Sequence, residues 1–199
     1  MSKENHDFII KSLIEAQKSL SDLIKSNQNI EKIIKASDLI SSTFINKSTV
    51  YSCGNGGSMS DSMHFCAELS GRYRKDRSPL AAISISDPAY LTCAGNDYGY
   101  EGIFSRFLEA NGKKDDLLLA ISTSGKSSNV VLAAEYAVQN GIKVVSLTGK
   151  EDSILKKYSD INICTPCGIY PDRVQEIHIK VLHILVELIE RKLFPKNYI

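Results

Sequence analysis

The chain has 199 residues and a mass of 22.0 kDa, with 43% apolar and 24% charged residues and a formal charge of +1 from 24 basic and 23 acidic side chains. That balance excludes disordered and collagen-like chains, and it supplies no basic field for following nucleic acid. No apolar run nears the ~20 residues of a membrane span, the first residues carry no secretory leader, and five cysteines at 53, 66, 93, 164 and 167 fit no disulfide framework, so we expect a cytoplasmic protein with free thiols that binds neither membrane nor nucleic acid.

Residues 7–46 carry apolar positions at helical spacing in two series. Phe8, Ile9, Leu13, Ile14, Leu20, Leu23 and Ile24 form the first. Ile30, Ile33, Ile34, Leu39, Ile40 and Phe44 form the second, after the polar break Ser26-Asn27-Gln28-Asn29. The pattern predicts two amphipathic helices that pack on the main body or on another copy of it. From residue 49 the pattern changes. A strand over 49–53 runs into the loop Gly54-Asn55-Gly56-Gly57, and a helix follows from 58 to about 73. Further strands are predicted over 81–85 and 116–121, the latter ending in Ser122-Thr123-Ser124-Gly125. A helix over 127–140 with Gly141 at its C-terminus, strands over 143–148 and 160–164, and a long helix over 172–193 complete the chain. Strands alternating with helices imply an α/β fold with a mostly parallel sheet covered on both faces. Ligands of such sheets sit at the carboxyl ends of the strands, and here those ends carry the Gly-, Ser- and Thr-rich loops.

The glycine loop feeds a helix N-terminus, where amide N–H groups and the helix dipole suit an anion. A tight strand-to-helix turn explains the same glycines. The spacing matches neither the dinucleotide nor the nucleoside-triphosphate fingerprint. Residues 122–127 offer four hydroxyls at a second helix N-terminus, where one would suffice as a cap. Because net charge is near zero, an anion must be held by local groups, and we assign this loop to phosphate. His64 and Glu68 lie one turn apart on one helix face, within reach of one divalent metal or one sugar hydroxyl. On the last helix, His183 lies beside the apolar stripe, where a buried core histidine is the alternative. Gln175 and His183 are eight residues apart, ~12 Å along the helix and ~80° in rotation. If both serve one site, two copies of the chain supply them. Cys164-Thr-Pro-Cys167 has no second pair to complete a Cys₄ site, and a loop separates it from the next helix, so it reads as structural.

In this order, the motifs resemble the sugar isomerase (SIS) domain family over nearly the whole chain. They are Ser52-Cys53-Gly54-Asn55-Gly56-Gly57-Ser58, His64-Phe65 with Glu68-Leu69 and Gly71-Arg72, Gly95-Asn96-Asp97, Ile121-Ser122-Thr123-Ser124-Gly125, Ser146-Leu147-Thr148-Gly149-Lys150, and Gln175-Glu176-Ile177-His178 with His183. The Ser/Thr loop belongs to the family at large. The His64/Glu68 and Gln175/His183 sets resemble its group of isomerases for seven-carbon sugar phosphates. The resemblance implies a single SIS domain over 1–199, with a helical pair at 1–46 and an α/β core at 47–199. The core is expected as a three-layer αβα sandwich with a five-stranded parallel sheet. It further implies a homotetramer with active sites at subunit interfaces. Asn55, Gly56, Gly57, Asn96, Asp97, Ser122, Thr123, Ser124, Ser127 and Gln175 would line the pocket for a small-molecule sugar phosphate. One zinc ion per subunit would be held by His64, Glu68, Gln175 and His183, although helical periodicity alone aligns Glu176 with His183 better than Gln175. Cys164-Thr-Pro-Cys167 is no part of that pattern.

The implied reaction interconverts a ketose phosphate and its aldose through an enediol, with Glu68 as base and His183 as acid. Two alternatives stand beside it. One is a non-catalytic SIS protein that binds the bacterial replication initiator, which has no need of the full acid–base set. The other is an isomerase for a hexose or pentose phosphate.

Overall fold

A computed structural model describes residues 2–166, 168 and 170–199. Two helices open the chain, α1 (Ser2–Lys25) and α2 (Asn27–Ile45). They part at Ser26, whose Oγ accepts the Asn29 backbone N–H at 3.3 Å and caps α2. Then come β1 (Val50–Gly54), α3 (Gly57–Ser70), β2 (Ala82–Ser84), α4 (Pro88–Tyr98), α5 (Ile103–Asn111), β3 (Leu117–Ser122), α6 (Ser128–Gln139), β4 (Lys143–Thr148), β5 (Ile161–Cys164) and α7 (Pro171–Leu193). A short 3-10 turn at Pro195–Tyr198 ends the chain. The expected α/β sandwich is the observed one: five parallel strands in the order β2-β1-β3-β4-β5, with helices on both faces.

Every residue of β1 and β3 is buried, because both faces of these central strands are covered. One face carries Val50, Leu117, Leu119 and Ile121 against Ile33 and Ile40 of α2, Phe65 and Leu69 of α3, and Val181 and Leu185 of α7. The other carries Tyr51, Cys53, Leu118 and Ala120 against Phe104 and Leu108 of α5 and the alanines of α6. The edge strand β2 has only three residues, which leaves little unpaired backbone for a foreign strand.

Helices α4 and α5 occupy a stretch where the sequence pattern predicts no element. The start of α4 is chemically well defined: Asp87 Oδ1 accepts the Tyr90 N–H at 2.7 Å, and Pro88 takes the first helical position. Helix α3 stops at Ser70, short of the expected 73, with the Gly71 N–H closing on the Ala67 carbonyl at 2.8 Å. Among the described residues, no helix is long and apolar enough to cross a membrane.

The chain leaves β1 for α3 on one face and leaves β3 for α6 on the other. Strand order therefore changes direction between β1 and β3, and a crevice opens at their carboxyl ends. The register pairs Gly54 with Ile121, so the glycine loop and the Ser/Thr loop leave the sheet side by side at one level.

Candidate active site

The glycine loop is shaped by what packs against it. Gly56 has φ +55°, in the left-handed region, and at Gly57 a Cβ would stand 2.7 Å from Cδ of Gln175. Glycine at 57 is what lets the Gln175 side chain of α7 lie against the start of α3. The Asn55 side chain is clasped: its Nδ2 donates to Asn129 Oδ1 at 2.8 Å, and its Oδ1 accepts from Asn129 Nδ2 and from the Tyr100 hydroxyl, both at 2.9 Å. Asn129 is buried in the first turn of α6. The two loops are thus tied by a reciprocal amide pair.

In the Ser/Thr loop, Ser127 occupies the N-cap position of α6 yet makes no side-chain cap. Its Oγ lies 3.0 Å from Ser122 Oγ instead. Ser122 Oγ also accepts the Gly125 N–H at 3.1 Å, and Ser124 Oγ accepts the Lys126 N–H at 3.2 Å. The Ser122, Ser124 and Ser127 hydroxyls thus bond to one another and to the loop's own backbone N–H groups. A cleft of about 200 Å³ opens beside Thr123 and Ser124, against Tyr170, Pro171 and Val174, and it is also lined by Lys150. Lys150 belongs to a motif quoted from the sequence but received no role there; only the return of β4 beside the Ser/Thr loop brings a cation here, fixed by the Gly149 N–H on the Thr123 carbonyl at 2.9 Å.

Helices α3 and α7 run side by side from this end of the sheet, and their seam carries the titratable groups. His64 Nε2 and His183 Nε2 face each other at 2.9 Å, and Glu68 Oε1 lies 3.4 Å from His64 Nε2. The Tyr73 ring sits 5.8 Å from the His183 ring. Two imidazole nitrogens at that distance share at most one proton, one donating and the other accepting. Burial and the His64 charge push His183 below the ordinary imidazole value, while Glu68 opposes them. Asp61, one turn before His64, was not singled out from the sequence, although Asp61, His64 and Glu68 recur on one helix face. Its Oδ2 is buried without a hydrogen-bond partner, and burial pushes its carboxyl up to about 6 against the opposing pull of His64.

Gln175 and Glu176 diverge. Gln175 lies on Gly57, whereas Glu176 pairs with Arg173, which also bonds Ser12 Oγ of α1 at 2.9 Å. Periodicity favoured Glu176 as a neighbour of His183; packing turns it toward α1. One chain therefore unites His64, Glu68 and His183 but leaves Gln175 at the far end of the seam. Asn96 and Asp97 are exposed at the end of α4, with Asn96 Nδ2 donating to Asp97 Oδ1 at 2.8 Å. Tyr100, three residues beyond Asp97, donates its hydroxyl to Asn55 of the glycine loop.

Burial pushes up the thiols of Cys66, to about 12, and of Cys164, to about 11, and it raises Cys53 as well. None of them offers a thiolate at neutral pH. Cys167 lies outside the described residues, so the structural reading of Cys164-Thr-Pro-Cys167 is described only at Cys164.

Among the described residues, no group of three or more His, Cys, Asp or Glu donors is already gathered to hold a metal. The donor chemistry nevertheless fits zinc. Ligand atoms around a tetrahedral zinc stand roughly 3.3 Å apart, and the spacings of 2.9 Å and 3.4 Å about His64 Nε2 lie either side of that value.

Comparison with known proteins places the chain in a family. The SIS domain family matches residues 14–149. A phosphoheptose isomerase of Tolumonas auensis is 50% identical over 187 residues, covering 94% of this chain and 97% of the relative. One from Yersinia pestis is 48% identical over 188 residues, with the same coverage. Among solved structures, phosphoheptose isomerase GmhA from Neisseria gonorrhoeae superposes with a TM-score of 0.86 at 31% identity, covering 93% of this chain and 98% of that one. A phosphoheptose isomerase from Francisella tularensis gives 0.84 at 31% identity, covering 96% and 99%.

Proposed function

This chain belongs to the SIS-domain family and to the phosphoheptose isomerases within it, and from that premise we propose how its side chains convert D-sedoheptulose 7-phosphate to D-glycero-D-manno-heptose 7-phosphate. Glu68 takes the proton from C1 of the ketose, leaving an enediolate, and returns it to C2. His183 gives a proton to O2 as the C1 proton leaves, and it receives the O1 proton as the aldehyde forms. The meeting of His64, Glu68 and His183 across the seam of α3 and α7 carries this reading. A base and an acid at one end of a seam, with hydroxyls at the other, suit a substrate whose reacting carbons lie far from its phosphate. The seven residues from Gly57 to His64 span ~10.5 Å of helix, a reach suited to an extended seven-carbon phosphate.

Ser122, Thr123, Ser124 and Ser127 hold the phosphate, so that binding energy far from the reaction positions the sugar. Asn55, Gly56, Gly57, Asn96, Asp97 and Gln175 line the path between. His64, Glu68, Gln175 and His183 are the donors for one zinc ion per subunit, which when bound would polarise the substrate carbonyl; Glu68 would leave that ion during turnover to serve as base, since a bound carboxylate is a weaker one. Gln175 then reaches that ion from a neighbouring copy, in a homotetramer whose sites lie between subunits. The exposed apolar residues of α1 support such an assembly. The enzyme works in the cytoplasm, and its product feeds the synthesis of nucleotide-activated heptose for lipopolysaccharide or capsule.

The test is a panel of heptose, hexose and pentose phosphates, assayed with and without chelator on wild type, Glu68→Gln and His183→Gln. Only the seven-carbon ketose should be turned over, and chelator should lower the rate. Each variant should lose about a thousandfold in rate while still binding the phosphate ester by calorimetry. Preference for a shorter sugar removes the substrate reading, a rate indifferent to chelator removes the zinc, and near-normal turnover in either variant removes the two roles.

A further inference from the structure

Beyond the histidines, the seam between α3 and α7 holds a second polar junction. Arg77 and Glu190 are fully buried, with side chains 1% and 0% exposed, and Arg77 Nε donates to Glu190 Oε1 at 2.7 Å. The rest of the guanidinium is turned onto the end of α3: Nη2 donates to the Glu68 carbonyl at 2.6 Å, and Nη1 donates to the Leu69 and Gly71 carbonyls at 2.7 Å each. The carbonyls of Glu68 and Leu69 fall in the last turn of the helix, where intrahelical donors run out. The other carboxylate oxygen, Glu190 Oε2, accepts the Tyr198 hydroxyl at 2.6 Å from the C-terminal turn. Every polar atom of the carboxylate is thus engaged.

Position makes this junction more than a helix cap. Glu190 follows His183 by seven residues, which brings it within ~20° of the same face of α7 and ~10.5 Å further along. Arg77 in turn grips the backbone of Glu68 itself. The guanidinium therefore links the backbone of the proposed base directly to the helix that carries the proposed acid. A buried ion pair is rarely the most stable way to fill such a space; apolar side chains of similar volume often do as well or better. A planar fork that reaches four carbonyls, that of Ser78 at 3.3 Å included, and one carboxylate does fix the rotation and axial register of one helix on another, and an ammonium group cannot reproduce it.

We propose that Arg77, held by Glu190 and Tyr198, is a positioning residue that sets Glu68 and His64 of α3 against His183 of α7. The inference rests on the roles given to those residues above. Arg77→Lys keeps a charge for Glu190 but loses the fork on the carbonyls, so it is the primary variant. At a temperature well below its unfolding midpoint it should lose about tenfold or more in kcat, with KM within about twofold of wild type. Its crystal structure should show the His64 to His183 separation widened beyond the 2.9 Å of the native pair. Should Arg77→Lys fail to fold, the double variant Arg77→Met/Glu190→Met fills the same space without charge, and the same loss of kcat is expected. Lys192→Ala, which removes an exposed pair with Asp38 elsewhere on α7, is the control and should leave kcat unchanged. A purely structural role predicts a lower midpoint with kcat within about twofold and an unmoved histidine pair, and that result overturns the proposal. If wild type turns over no sugar phosphate, the functional reading fails separately, and the histidine separation alone decides whether Arg77 sets this geometry.

Discussion

His178 and His183 stand five residues apart on α7 in opposite surroundings. His183 faces His64 across the seam, whereas His178 is wholly buried. The core-histidine alternative raised for His183 describes His178 instead, which lies wholly within the core. Burial pushes His178 down to about 4 from an ordinary 6.5, with the Thr148 backbone opposing in part. Between those two values the unfolded chain binds a proton that the folded chain refuses. Folding stability must therefore fall as pH drops from about 6.5 toward 4, by an amount on the order of 3 kcal/mol from this one residue. Urea midpoints of wild type and His178→Gln, taken at steps from pH 7 to 4.5, check this. The wild-type midpoint should fall more steeply; parallel curves would show that His178 stays neutral in both states or charges in both.

At the scale of elements, the strands and both loops were legible because their signals are local. Alternating Gly and Ser/Thr clusters mark where strands end, and the predicted strand limits lie within one residue of the observed ones. Helices α4 and α5 were not legible as a pair of elements. Helix α4 buries little besides Ala94 and has the Asp87-Pro88 start as its clearest marker, whereas α5 carries a helical stripe in Ile103, Phe104, Phe107 and Leu108 but is only nine residues long. The chemistry was half legible. Helical spacing joins His64 to Glu68, but the meeting with His183 spans 119 positions and depends on how α7 docks. Arg77 lies in an irregular stretch with no periodicity to reveal it. The Asn55–Asn129 clasp was equally invisible, since its members are 74 positions apart and each reads locally as a turn or cap residue. That clasp makes a prediction about the two loops acting together. Asn129→Leu removes both hydrogen bonds of the clasp and takes the acceptor from Asn55 Nδ2 and from the Val130 N–H, while Asn55 Oδ1 keeps the Tyr100 hydroxyl, at a cost of about 1–3 kcal/mol in stability. With the glycine loop no longer held beside the hydroxyl cluster, KM for the sugar phosphate should rise about tenfold while kcat changes less. Steady-state kinetics and calorimetry with the product phosphate measure both; an unchanged KM would mean that the loops find their positions independently.

The whole molecule presents an apolar surface that a single chain does not cover. On α1, Phe8 is 71% exposed, Leu13 62%, Ile14 58% and Ile24 65%. Single-chain proteins seldom leave so much contiguous apolar area in water. A groove of about 600 Å³ between α1 and α7 continues that surface, lined by Leu13, Ala16, Leu20, Ile177 and Ile179. A net charge of +1 offers little repulsion between copies. The groove floor belongs to the same helix that carries Gln175 and His183. Light scattering of the full chain should accordingly give about four times the 22.0 kDa subunit mass. Leu13→Asp with Ile14→Asp should reduce that mass without unfolding the chain, because both side chains already face water in the isolated subunit. If Gln175 reaches the metal of a neighbour, the dissociated variant loses isomerase activity together with bound zinc. Mixing Gln175→Ala with His183→Gln subunits, each inactive alone, should then recover part of the rate, because some mixed sites draw an intact residue from each copy. Full activity in the dissociated variant, or no recovery on mixing, would return every catalytic group to a single chain.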